Sequence, residues 1–310
     1  MSQEALLPAE VSNRLRAFRR DSQFAERGGV VTDLDGTAVR ELDGRVFVAE
    51  QVAEGLKALV ELGRPVVVNT LRFPLNVIRT FGREWGAITH QPVPLVSLNG
   101  AAFGLLTPVG EAETTFDELA AFPLSPAELE QAVAHVEDLI EHGLRQILLF
   151  VYPRDWSQGE IIWTPHPDRT AELQAKYLSA SRVVAGTTAV LRELLRGEGA
   201  CMLSVLVDVP EDRRMAYQHA NPNRFFTTAG VDKLSGAREA AARLEFDLDQ
   251  SVGAGDTAMD SFLAGVGLAL QVGPVELAFQ GRLDTMRLKD PHEFGAALFE
   301  LARTDAEDVG

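Results

Sequence analysis

Cysteine is nearly absent from this chain, with Cys201 alone in 310 residues. A single thiol excludes an internal disulfide and goes with a reducing, cytoplasmic setting. It lies in "GACMLSVLVDV" (199–209), which reads as a buried strand, so Cys201 is read as packing and not as a nucleophile. Lysine is also scarce: Lys57, Lys176, Lys233 and Lys289 are the only four among 29 basic residues, which singles each of them out. No apolar run reaches the roughly 18 residues of a membrane span, so none is expected. Glu4 and Glu10 interrupt the apolar patch at the N-terminus, so no signal peptide is expected. An excess of positive charge is missing too. The net charge of −16 disfavours nucleic acid and anionic membranes as partners. It still allows a locally positive site for a small anionic substrate. The six histidines show no metal-ligand spacing: His135 and His142 sit seven apart on one expected helix, and His166 reads as a loop residue.

What is present is the composition of an ordinary globular protein, 46% hydrophobic and 24% charged, long enough for two domains. Residues 1–27 form an N-terminal extension. Within it, 11–27 have the pattern of a basic amphipathic helix, expected to pack on the domain or on a second copy of the chain in a homodimer. Strands are expected at 28–33 and at "RPVVVNT", ending near Thr70. Helices are expected at 48–62, stopped by Gly63, and from Pro74 through "FPLNVIRTFGREWG". "VPLVSLNGAAF" reads as strand, turn, strand. This alternation predicts an α/β fold with a doubly wound, mostly parallel sheet. The texture changes over 106–225, read as an inserted α+β domain with helices at 126–142 and 168–180 and strands at 146–152, 159–164 and 202–209. The first texture then returns with helix 233–245, strand 250–254, helix 257–265 and strand 267–272. The expected domains are thus 1–105 with 226–310, and 106–225.

Open α/β sheets bind ligands at the C-terminal ends of their strands. Asp33 and Asp35 follow the first strand in "VVTDLDGTAV" (30–39), Thr70 the second and Asn99 the third, while "GAGDTAMD" (253–260) brings Asp256 and Asp260. Residues i and i+2 of an extended chain point the same way, so Asp33 and Asp35 would lie close together. Like charges about 4 Å apart repel by roughly 4 kcal/mol at an effective dielectric of 20. A hard divalent cation held by Asp33, Asp35 and Asp256 removes that repulsion, and magnesium suits such an oxygen set. Thr70 offers a hydroxyl and Lys233 a point charge, both suited to phosphate oxygens. Metal, cation and donors around one place fit phosphoryl transfer.

These residues resemble the four motifs of the haloacid dehalogenase superfamily. "DLDGT" (33–37) is similar to the first motif, Thr70 to the second, Lys233 in "GVDKLSGA" to the third, and "GDTAMD" (255–260) to the fourth. Their order spans nearly the whole chain. The insertion between the second and third resembles the α/β cap of the Cof-type and sucrose-phosphatase-like branch, as do "NTLR" (69–72) and "LNGA" (98–101). The resemblance implies a Rossmann-like core and a mobile cap. It makes Asp33 the nucleophile and magnesium ligand, and Asp35 the general acid and base. Thr70 and Lys233 would hold the phosphoryl group, Asp256 would complete the metal site, and Asp260 would support it from behind. Arg72 and Asn99 are candidates at the substrate end. Leu71 in place of the branch's glycine, and Met259 in place of its asparagine, are departures. Asp35 favours phosphate esters, since dehalogenases of the superfamily have no acid there. The expected activity is a magnesium-dependent phosphatase acting on a small phosphorylated metabolite such as a sugar phosphate. A phosphomutase and a non-catalytic phosphometabolite-binding protein are the alternatives. "GAGDT" also resembles the anion hole of ribokinase-like kinases, but their glycine-rich sugar site is missing.

Overall fold

The computed structural model describes residues 7–42, 45–110, 113–144, 146–207, 224–278 and 285–303. The chain divides into two compact units, Met1–Arg72, Val77–Leu119 and Asp232–Gly310 forming one, and Phe73–Asn76 with Ala120–Val231 the other.

The first unit begins with helices α1 (Ala9–Asp21) and α2 (Phe24–Arg27). Strand β1 (Val30–Thr32) follows, then a hairpin of β2 (Val39–Leu42) and β3 (Arg45–Val48), and α3 (Glu50–Glu61). Strand β4 (Val66–Asn69) leads to α4 (Pro74–Val77), a π-helical turn at Ile78–Gly82 and α5 (Arg83–Ile88). Next come β5 (Val93–Ser97), β6 (Ala102–Pro108) and β7 (Thr114–Ala121). The second unit holds α6 (Pro126–Glu141), β8 (Ile147–Pro153), β9 (Glu160–Thr164), α7 (Thr170–Lys176), β10 (Ala180–Ala185), α8 (Thr188–Glu198), β11 (Ala200–Val207) and β12 (Arg224–Phe226). The chain returns to the first unit with α9 (Lys233–Leu244), β13 (Val252–Gly255), β14 (Leu268–Val272), β15 (Thr285–Leu288) and α10 (Pro291–Ala302).

The first unit is built on an eight-stranded sheet in the order β15-β14-β13-β1-β4-β5-β6-β7. The six strands from β15 to β5 run parallel, and β6 turns back antiparallel to β5. This is the α/β architecture expected from the alternation of elements. The short runs Val30–Thr32 and Val66–Asn69 are buried along their whole length, as strands covered on both faces must be. The second unit has its own five-stranded sheet, β10-β9-β8-β11-β12, and its own core. There Val133 and Val136 of α6 and Leu191 of α8 pack with Leu149, Trp163 and Leu203 of the sheet.

The structure places the division between units later than the expected boundary at 106. Strands β6 and β7 extend the core sheet, and they lie so close that a Cβ on Gly104 would come 2.3 Å from the Asp117 carbonyl oxygen. The return falls at 232, where 226 was expected, because β12 pairs with β11. The expected helix at 257–265 is instead a 3-10 turn at Ser261–Gly265. The last two residues of the strand expected at 202–209 lie outside the described residues. The N-terminal helix packs on its own unit. Arg16 Nε donates to Glu300 Oε1 at 2.6 Å, and Arg19, almost fully buried, donates to the carbonyls of Glu300 and Arg303 at the end of α10 at 3.0 and 2.7 Å.

Candidate active site

Strands β13, β1, β4 and β5 lie side by side, and their C-terminal ends deliver the polar residues. Asp33 follows β1, and its N–H donates to the Ala254 carbonyl of β13 at 2.9 Å, which extends the ladder by one rung. The chain then reverses: the N–H groups of Thr37, Ala38 and Val39 all donate to the Leu34 carbonyl at 3.3, 3.0 and 2.9 Å. Gly36 takes φ 79° in this turn, and a Cβ there would lie 2.1 Å from Asp256 Oδ2. Only glycine gives both that dihedral and that approach.

Lys233 stands at the centre. It is 2% exposed and its Nζ donates to Asp33 Oδ1 and Asp260 Oδ1, both at 2.6 Å. Its place is set by the start of α9, where Asp232 and Ser235 form a capping box. The other oxygen of Asp260 accepts from the N–H groups of Asp256 and Thr257 at 3.0 and 2.9 Å. That pairing closes a turn after β13 and is the reason no α-helix starts at 257. Asp33, Asp256 and Asp260 each offer a carboxylate oxygen, and all three lie within 4.8 Å of one another. Thr37 Oγ1 donates to Asp256 Oδ1 at 3.5 Å.

Thr70 is buried at the end of β4, its Oγ1 accepting from the Arg72 N–H at 3.2 Å. The Thr70 carbonyl accepts from the Asn99 N–H at 3.3 Å. Asn99 sits in a left-handed turn, with Leu98, Asn99 and Gly100 at φ 52°, 56° and 96°. Arg72 does not stand free for a ligand. Its Nε and Nη2 donate to the two oxygens of Asp35 at 2.7 and 2.5 Å, and its Nη1 to Thr80 Oγ1 of the π turn at 2.9 Å. The site thus gathers Asp33, Asp35, Thr70, Arg72, Lys233, Asp256 and Asp260. The carboxylate of Asp260, not that of Asp35, completes the acidic cluster with Asp33 and Asp256, because Asp35 faces Arg72.

No family model and no curated protein matches this sequence. Solved structures do. A phosphatase of the haloalkanoate (HAD) enzyme superfamily from Bacteroides thetaiotaomicron superposes with TM-score 0.61 at 14% identity, over 96% of this chain and 99% of that one. A sugar phosphatase of HAD subclass IIB gives 0.59 at 14%, over 87% and 96%. A haloacid dehalogenase-like hydrolase from B. subtilis gives 0.59 at 16%, over 87% and 98%. The chain has the haloacid dehalogenase fold.

On the haloacid dehalogenase fold, the four motifs read from sequence fall at the ends of adjacent strands and on the first turn of α9. Thr37, Thr80, Asn69 and Ser261 were not read as functional. Asn69 Nδ2 donates to the Lys233 carbonyl at 2.8 Å, and the Leu234 N–H donates to Ser261 Oγ at 3.1 Å. Asn69 lies in the stretch "NTLR", but its pairing with Lys233, 164 residues on, and that of Leu234 with Ser261, 27 residues on, leave no local pattern.

The charges in this site do not balance. Among the described residues, the carboxylates of Asp33, Asp35, Asp256 and Asp260 are paired with Lys233 and Arg72, so with all six ionised the site carries two surplus negative charges. Burial pushes the Asp33 carboxyl well above the usual range against the pull of Lys233, and Asp260, Asp256 and Asp35 push the same way. Burial, aided by Asp260, lifts Asp256 to about 7. For Lys233 burial works against the charge, but Asp260 and Asp33 outweigh it and raise the pKa. Two surplus charges, all-oxygen donors and two strained acids fit a hard divalent cation such as magnesium.

Proposed function

We propose that this chain is a magnesium-dependent phosphatase that hydrolyses a small phosphate monoester through an aspartyl-phosphate. The observation that carries it is Lys233, buried and bonded at 2.6 Å to both Asp33 and Asp260, next to Asp256. Asp33, the backbone carbonyl of Asp35 and Asp256 would hold the metal. When bound, it neutralises the surplus charge and lets a phosphate dianion approach.

Lys233 occupies one oxygen of Asp33, which leaves Oδ2 to attack phosphorus. The new Oδ2–P bond forms as the ester P–O bond breaks. Asp35 gives its proton to the departing alkoxide and becomes a carboxylate. That carboxylate then takes a proton from water, whose oxygen attacks phosphorus, and the Asp33–phosphorus bond breaks to release phosphate. Arg72 holds Asp35 through both oxygens and so fixes where its carboxyl stands. In its acid form Asp35 keeps one of those two contacts. Thr70 and Lys233 stabilise the equatorial oxygens of the transferring group.

Sugar phosphates are the proposed substrate class, supported by the resemblance of the motifs and by the sugar phosphatase among the structural neighbours. The second unit is the proposed carrier of substrate selection. A cytoplasmic setting is proposed from the single, buried cysteine, Cys201. No helix among the described residues is long and apolar enough to cross a membrane.

The test is phosphate release from a panel of phosphorylated metabolites, with magnesium and with excess chelator, for the wild type and Asp33→Asn. Release that needs magnesium and vanishes in the variant is expected. Activity that survives Asp33→Asn would remove Asp33 as nucleophile. No release from any compound would favour a mutase or a non-catalytic binder.

A further inference from the structure

The peptide link after Lys233 is held from both edges. Its carbonyl oxygen accepts from Asn69 Nδ2 at 2.8 Å, and its N–H, that of Leu234, donates to Ser261 Oγ at 3.1 Å. Asn69 ends β4 beside Thr70, and Ser261 follows Asp260, so the two holders belong to two different walls of the site. A peptide unit is a rigid plane, so two bonds on opposite edges fix its rotation. The Leu234 N–H is one of the donors that the first turn of any helix leaves without an intrahelical partner, and Ser261 supplies the partner from a distant segment.

The seat of this helix has no slack. A Cβ on Gly236 would lie 2.4 Å from Val96 Cγ1, and one on Gly100 would lie 2.1 Å from the Asp232 carbonyl oxygen. The first turn of α9 therefore rests directly on the end of β5 and the turn after it.

Asn69 is costly where it stands. It is fully buried after Val66, Val67 and Val68, and its Oδ1 has no hydrogen-bond partner among the described residues. A buried acceptor without a partner costs about 1–3 kcal/mol, against about 1 kcal/mol returned by a typical hydrogen bond. An apolar residue would serve the core as well or better. A side chain kept at such a position points to a task other than stability.

We propose that Asn69 and Ser261 are positioning residues that clamp the Lys233–Leu234 peptide and through it aim Lys233 Nζ at Asp33. The proposal rests on the phosphatase reading of the site. The lysine stem has four rotatable bonds, and its Nζ meets two carboxylates at 2.6 Å only if its Cα and Cβ are held still. Loosening the plane would let the ammonium swing toward Asp260 and leave the Asp33 oxygen unheld.

The experiment uses Asn69→Leu, near in shape but without the donor, Ser261→Ala, and Ser261→Thr, which keeps a hydroxyl. Two quantities are read. The first is kcat for phosphate release beside the melting temperature. A drop in kcat of about 10–100-fold is expected for Asn69→Leu and Ser261→Ala, the size seen when the supports of a catalytic group are removed. Ser261→Thr should recover most of it. Asn69→Leu should melt no lower than the wild type, because the unpaired acceptor is gone. The second is the ammonium signal of Lys233 in protein labelled with 15N-lysine. Four lysines make the spectrum sparse, and Lys233→Ala assigns the signal. Both clamp substitutions should shift or broaden it. An unchanged signal with unchanged kcat overturns the proposal. So does a loss of kcat that only tracks a lower melting temperature. If the wild type releases no phosphate but the Lys233 signal still responds, the phosphatase reading falls and the clamp stands.

Discussion

Asp260→Asn tests the electrostatic account of the site most severely. Asp260 is fully buried, and both its oxygens face donors only: Oδ1 meets Lys233 Nζ at 2.6 Å, and Oδ2 meets two backbone N–H groups at 3.0 and 2.9 Å. An amide has one acceptor edge and one donor edge. Turned one way, its NH2 confronts the ammonium; turned the other, it confronts the N–H groups of Asp256 and Thr257. Neither orientation satisfies the site, and Lys233 is left with Asp33 as its sole charged partner. Removing one member of a buried ion pair costs about 3–5 kcal/mol where the other charge is left alone. Lys233 keeps Asp33, and repulsion on Asp33 and Asp256 is relieved, so a loss of about 2–3 kcal/mol is expected. Against a whole-protein stability of about 5–15 kcal/mol, that is a large share. Urea unfolding followed by circular dichroism and tryptophan fluorescence would read it as a lower midpoint at unchanged slope. A loss below about 1 kcal/mol would refute the reasoning, since it would mean that Asp260 is not held by Lys233 in solution.

Other outcomes follow from the same geometry. Burial and Asp260 lift Asp256 to about 7, so the folded state binds this proton more tightly than the unfolded chain does. Its contribution to stability therefore falls as pH rises toward 7. In chelator the melting temperature should climb as pH drops from about 8 to 5, while saturating magnesium or Asp256→Asn should flatten the slope; a fall on acidification in chelator would contradict this. Glu128 shows the opposite sign. It accepts from the Ser125 hydroxyl and N–H, the Thr228 hydroxyl and the Ala229 N–H, which hold it down at about 2. The stability it lends is present above its ordinary 4.5 and lost as pH falls toward 2, so Glu128→Gln should remove part of the acid sensitivity in an acid titration followed by circular dichroism. Arg19→Ala removes two bonds from a charged donor to the end of α10, and a calorimetric loss of about 2–3 kcal/mol is expected. An unchanged melting temperature would mean that α1 does not stay docked on α10.

Much of this site was legible because acids at the ends of buried β-branched strands break the pattern of a core. Val30 and Val31 before Asp33, or Val66 to Val68 before Thr70, announce a strand, and the polar residue after them marks its exposed end. Two features hid. Arg72 reads as a candidate at the substrate end because its partner, Asp35, lies 37 residues earlier and no local pattern links them. Strand β7 reads as the start of the inserted unit because "TTFDELAA" has little alternation, and only its neighbour β6 draws it into the core sheet. The hairpin of β2 and β3 is likewise decided by pairing and not by its own short runs.

Every residue gathered at the site comes from the unit formed by Met1–Arg72, Val77–Leu119 and Asp232–Gly310. Apart from Phe73–Asn76, the other unit is one uninterrupted stretch, Ala120–Val231, that leaves the first after Leu119 and rejoins it at Asp232. In the language of recombination, it is a cassette with two junctions. Exchanging it in one event would replace that unit while the carboxylates, the lysine and their supports pass on unaltered.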